Sequence, residues 1–85
     1  MMSAFERLLD ELTTMFVDND GRLSTDQIEA MGFRWVGMNI PIDLSRCYVV
    51  VAGVNLTQLC DGTIMLVGRY INRPDRYCYK YDGEA

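Results

Sequence analysis

The sequence predicts an α+β fold: two short N-terminal helices followed by a four- to five-stranded antiparallel β-meander. Three observations carry that prediction. Residues 3–32 repeat their apolar positions with helical period, between recognisable caps. Beyond Gly32 the large residues alternate and β-branched runs take over. Turn signals (PIDLS, CDGT and NRPDR) punctuate those runs.

The first helix opens with Ser3 and Glu6, an S-x-x-E capping box. Phe5, Leu8, Leu9, Leu12, Met15 and Phe16 then fall on one stripe of a helix about four turns long, with Glu6, Arg7, Asp10, Glu11, Thr13 and Thr14 on the opposite face. The second helix begins at Ser24, with Gln27 completing a capping box and Leu23 and Ile28 placed as a hydrophobic staple. Gly32 is the left-handed residue expected to stop it.

In the sheet half, FRWVGMNI alternates Phe33 and Trp35 and then, less regularly, Val36 and Met38. RCYVVVAGVNLTQL is long for one strand, and Gly53 marks a bulge or bend within it. CDGT is an Asp-Gly hairpin signal leading into TIMLVGRYIN. Pro74 and Asp75 suit a type I turn before YCYKY. The helices are expected to cover one face of the sheet.

Eighty-five residues allow a single core, because a chain this short buries only about 60–65% of its unfolded surface. Residues 1–85 are read as a single domain: 1–32 helical and acidic, 33–81 the sheet, and 82–85 a frayed tail. At 49% hydrophobic and 24% charged residues, the composition is that of a globular chain rather than a disordered one. No segment reaches the roughly 18 consecutive apolar residues of a membrane span. The opening MMSAFERLLDEL has neither a basic leader nor an apolar signal core, so a cytoplasmic location is expected. Cys47, Cys60 and Cys78 are odd in number and lack C-x-x-C spacing, and they read as three buried thiols on strands.

FVDNDGRLSTDQ, residues 16–27, resembles an EF-hand loop. With Gly21 at the sixth position, Asp18, Asp20 and Ser24 fall on ligand positions of that family. Phe16 and Gln27 then stand where the family needs its first oxygen ligand and its bidentate carboxylate. The same residues make a turn: Asn-Asp-Gly tolerates positive φ, Asp18 is placed to cap the first helix, and Ser24 starts the second. The turn is the reading carried forward, with a weak divalent-ion site as its alternative. No metal and no cofactor is expected.

The absence of histidine removes Ser-His-Asp and Cys-His catalysis, and no Gly-rich phosphate loop is present, so the chain is read as non-enzymatic. The net charge of −4 is unevenly spread. Residues 1–31 carry seven acids against Arg7 and Arg22, and residues 32–85 carry six bases against five acids. A second helix bearing Asp26 and Glu29 and no base is unsuited to lie in a DNA groove.

The candidate partner-binding residues are Trp35, Tyr70, Arg73, Arg76, Tyr77, Tyr79 and Tyr81, the residue types that dominate interface hot spots. Glu6, Asp10, Glu11, Asp18 and Asp20 form a candidate acidic face toward a basic partner. The function expected is that of a small inhibitor or adaptor acting on another protein, as monomer or homodimer. Its size and acidity are those of inhibitors carried by phages and mobile elements. The alternative is single-stranded nucleic-acid binding by the GRYINRPDRYCYKY hairpin, where arginines interleave with tyrosines.

Overall fold

The computed structural model describes residues 2–51, 53–70 and 72–83. Its helices are α1 (Ala4–Asp18) and α2 (Thr25–Ala30), and its strands are β1 (Phe33–Met38), β2 (Tyr48–Val51), β3 (Val54–Gln58), β4 (Ile64–Arg69) and β5 (Arg76–Tyr81). A 3-10 turn (Leu44–Arg46) precedes β2.

Local chemistry sets the helix ends. Ser3 Oγ accepts the Glu6 N–H, but the Glu6 carboxylate takes the Ser3 hydroxyl rather than its N–H, so half of that capping box forms. α1 stops in a Schellman arrangement: the Gly21 N–H reaches the Phe16 carbonyl at 2.6 Å and the Asp20 N–H the Val17 carbonyl at 3.2 Å. Asp20 and Gly21 take the positive φ values of 57° and 81° that this stop requires. The cap itself is Asn19, whose Nδ2 donates to the Met15 carbonyl, while Asp18 stays in the last helical turn. At α2 both halves of the Ser24–Gln27 capping box are present, and Gly32 ends the segment at φ 104°.

Among the described residues the strands form one antiparallel sheet in the order β1-β5-β4-β3-β2. The run 48–58 is two strands rather than one bent strand. Val51 pairs with Val54, and Gly53, at φ 83°, lies in the reversal. An unbroken β-branched run conceals this hairpin, since its only punctuation is a glycine that a bulge would also use. The Asp-Gly signal is a turn closed by Gly62 N–H to the Leu59 carbonyl, with Gly62 at φ 91° and Asp61 Oδ1 accepting the Thr63 N–H. Hydrogen bonding from Thr63, by its hydroxyl first and then by its N–H, holds the Asp61 carboxyl below its ordinary pKa.

β1 departs from simple meander order. It lies beyond β5, so β1 and β2 run in the same direction at opposite edges, and residues 39–47 must cross the sheet to join them. Side chains alternate between the faces. One face, with Val54, Leu56, Ile64, Leu66, Tyr77, Tyr79 and Phe33, packs under Phe5, Leu8, Leu12, Phe16 and Ile28 of the helices. On the other face Met65, Val67 and Cys78 are covered by Ile40 and Ile42 of the crossing segment. The helices are thus one cover and the crossover is a second, partial one.

Asn39 anchors the start of that crossing. At φ 56°, its N–H donates to the Arg76 carbonyl (2.9 Å), its Oδ1 accepts the Arg76 N–H (3.0 Å) and its Nδ2 donates to Asp75 Oδ1 (3.0 Å). The Arg76 N–H therefore serves Asn39 rather than closing a type I turn at Pro74–Asp75. The connection is instead drawn together by the Tyr70 N–H on the Asp75 carbonyl.

Two further expectations change. Cys78 is buried, but Cys47 is half-buried ahead of β2 and Cys60 is exposed in the β3–β4 turn. The segment read as a frayed tail begins pinned: the Asp82 N–H donates to the Gly32 carbonyl (2.7 Å) and its carboxylate lies 3.7 Å from Arg34 Nε. Residues 84–85 of that tail lie outside the described residues.

Candidate partner-binding surface

Strand alternation distributes the candidate residues of the C-terminal hairpin. β5 turns Tyr77 and Tyr79 toward the helices and Arg76, Cys78 and Lys80 to the opposite face. Tyr77 and Tyr79 are 9% and 5% exposed and belong to the core. Their rings stack edge-to-face at 5.6 Å, and Tyr70 extends the row by packing on Tyr77 at 5.5 Å. Offset edge contacts of this kind let a core hold several tyrosines without steric conflict. The contact surface expected at Tyr77 and Tyr79 is therefore not available to a partner, and the interleaving of arginine with tyrosine is the period-2 signature of a half-buried strand.

Tyr81 is half-buried. It packs against Phe33 at 5.3 Å, and its hydroxyl accepts from the Arg7 guanidinium, which also pairs with Glu11 at 3.5 Å. Arg73 stands 4.1 Å over the Tyr70 ring and 3.8 Å from Asp75, so its charge is engaged within the hairpin. Arg76 is exposed and lies directly opposite Arg69 across β4–β5.

Trp35 is in a different setting. It sits on edge strand β1 at 49% exposed, with Val36 at 43% and Met38 at 45%. The register shifts between Trp35 and Gly37, so a β-bulge interrupts the alternation there and Val36 and Met38 are exposed along with Trp35. Val36 and Met38 were not foreseen as contact residues, although the irregular alternation of FRWVGMN is the trace of this bulge. The other edge, β2, exposes Tyr48 and Val49, with Tyr48 stacked on Phe5 at 5.3 Å.

The acidic candidates hold together better as a surface. Glu6, Asp10 and Glu11 lie exposed along α1, and Asp18 and Asp20 at its C-terminal end. Among the described residues only Glu11 of these five has an ion-pair partner. Asp18 stands in the last helical turn with no base beside it, where the negative end of the helix dipole disfavours a carboxylate.

The loop 16–27 is organised by backbone bonds. Phe16 lies in the core and Gln27 is consumed by the capping box. Among the described residues no three His, Cys, Asp or Glu side chains are grouped as a metal site would need, and no helix is long and apolar enough to cross a membrane. No family model, no curated protein and no solved structure matches this chain.

Proposed function

We propose that this chain is a non-enzymatic protein-binding domain, an inhibitor or adaptor, whose partner docks along the open edge of β1. The observation that carries the reading is the exposed run of Trp35, Val36 and Met38 on a strand whose outer backbone groups have no neighbour in the sheet among the described residues. Unpaired strand edges template further pairing, and soluble proteins usually blunt them with lysine or proline. β1 has neither, and only its bulge and Arg34 interrupt the edge. A half-exposed tryptophan adds the large rigid contact area characteristic of interface anchors. The acids of α1 give a second, electrostatic element, suited to steering a basic partner. Asp18 supports this because a carboxylate in the last turn of α1, a turn that holds no base, costs helix stability.

The nucleic-acid alternative has less support. Stacking platforms need aromatic faces beside cations on one accessible surface, whereas β5 puts its tyrosines and its bases on opposite faces.

The test is affinity capture from the native host's lysate, with nuclease-treated and untreated halves, using the wild-type chain and the variants Trp35→Ala and Val36→Lys. The expected result is a stoichiometric protein that survives nuclease and is lost with both variants while their melting temperatures stay near wild type. Recovery that disappears with nuclease, or capture unchanged by both variants, would refute the β1-edge reading.

A further inference from the structure

The face of the sheet turned away from the helices carries a hollow of about 340 Å³ beside the Gly53 reversal. Asn55 of β3, Val67 and Arg69 of β4 and Arg76 of β5 line it. Strand pairing fixes their common orientation. Asn55 lies opposite Val67, Val67 opposite Cys78, and Arg69 opposite Arg76. Alternation therefore turns all of them to the side on which Val67 and Cys78 meet Ile40 and Ile42.

Two features set this hollow apart from an ordinary solvated patch. The first is its charge. Side chains directly opposite on antiparallel strands start from Cβ atoms about 5 Å apart, and like charges so placed destabilise the pair. Arg69 and Arg76 are such a pair, and no carboxylate lies within ion-pair distance of either among the described residues. No Asp or Glu lines the hollow. Asp75, the acid next to Arg76 in sequence, is committed elsewhere: one oxygen accepts from Asn39 and the other faces Arg73.

The second feature is the set of donors. Asn55 is half-buried, and its carboxamide makes no hydrogen bond to another described residue; neither do the guanidiniums of Arg69 and Arg76. Three donor groups from three adjacent strands thus border one concavity, over the buried apolar side chain of Val67. The sheet holds their backbones in register, and Asn39 fixes Arg76 further by bonding both its N–H and its carbonyl.

Charge-assisted bonds from guanidinium to phosphate or carboxylate oxygens are the stronger class of hydrogen bond. Two cations are balanced by a dianion, and donors converging from three strands need more oxygens than the two of a carboxylate. We infer that the hollow binds a phosphate dianion, free or borne as a monoester, with Arg69 and Arg76 sharing its charge and the Asn55 amide donating to a further oxygen. The hollow is bordered by β3, β4 and β5, so the inference does not rest on the β1-edge reading.

The experiment is an NMR titration of the full chain at constant ionic strength, above the second phosphate pKa of about 6. The probes are inorganic phosphate and phosphoserine, against dimethyl phosphate as a monoanionic diester and acetate as a carboxylate. Phosphate and phosphoserine are expected to give saturable shifts at the Asn55 side-chain amide and the Val67 methyls with a millimolar Kd, and their ratio separates a free from an esterified ligand. The two monoanions should bind about fivefold more weakly or worse. Arg69→Gln and Arg76→Gln each remove one exposed cation; both should fold normally and weaken phosphate by about fivefold or more. Excess phosphate should also raise the Tm of the wild-type chain by more than that of either variant, through linkage. Shifts that do not saturate, that map elsewhere, or that survive both arginine variants would overturn the inference. Equal Tm gains in all three chains would overturn it too, as a general salt effect. Equal binding of dimethyl phosphate or of acetate would overturn it in favour of a phosphodiester or a carboxylate ligand.

Discussion

Replacing Gly68 by alanine tests the packing of the tyrosine row, because local and tertiary considerations give opposite signs. Glycine in a strand interior is unfavourable, so propensity alone has Gly68→Ala stabilise by about 0.5–1 kcal/mol. Gly68 shows no positive φ that would oppose the change. Its cross-strand partner, however, is Tyr77, whose ring lies over it, and a Cβ at Gly68 would run into the hydroxyl and ring carbons of that side chain. Tyr70 and Tyr79 brace the ring at 5.5 and 5.6 Å, leaving an open concavity beside Phe16 as its main way out. Overpacking a core typically costs about 1–3 kcal/mol, and the partial escape favours the lower half of that range. The net expectation is a loss of about 1 kcal/mol, or a fall in Tm of roughly 4–8 °C for a chain of this size. Thermal and urea unfolding of Gly68→Ala, Tyr77→Leu and the double variant would measure the coupling. In the Tyr77→Leu background Gly68→Ala should become neutral or stabilising. A rise in Tm for the single variant, or an equal loss in both backgrounds, would refute the argument.

Further outcomes follow from other contacts. Asn39→Ala removes two side-chain hydrogen bonds and puts alanine at φ 56°; it should cost about 1–3 kcal/mol in urea unfolding with little change in slope. Asp18→Asn relieves a carboxylate in the last turn of α1; it should stabilise by about 0.3–1 kcal/mol at low salt and slow association with a basic partner. Burial, reinforced by Tyr79 and Tyr70, raises the Tyr77 hydroxyl from 10 to about 12. The folded state then holds that proton more tightly than the unfolded chain, so the associated stability is intact below pH 10 and is lost as the pH rises from 10 toward 12. The slope approaches about 1.4 kcal/mol per pH unit. An ultraviolet tyrosinate titration should show one late-ionising tyrosine, and Tyr77→Phe should abolish both effects.

What was legible in the sequence is what short-range chemistry decides. Ser24 with Gln27, the Asn-Asp-Gly stop of α1, Gly32 and the Asp-Gly turn each act over a few residues, and each stands where its own hydrogen bonds require. The change from helical to strand period at Gly32 fixed the class of fold for the same reason. Tertiary structure decided everything that depends on which strands meet. The placement of β1 beyond β5 and the crossing of 39–47 over Met65, Val67 and Cys78 carry no local signal, because pairing partners lie tens of residues apart. The tyrosines show the same limit. Alternation in YCYKY announced that one set of residues would be buried, but only the position of the helices determined that Tyr77 and Tyr79 were that set, leaving the bases outside. A strand specifies two faces by itself, and the layer packed against it determines which becomes the core.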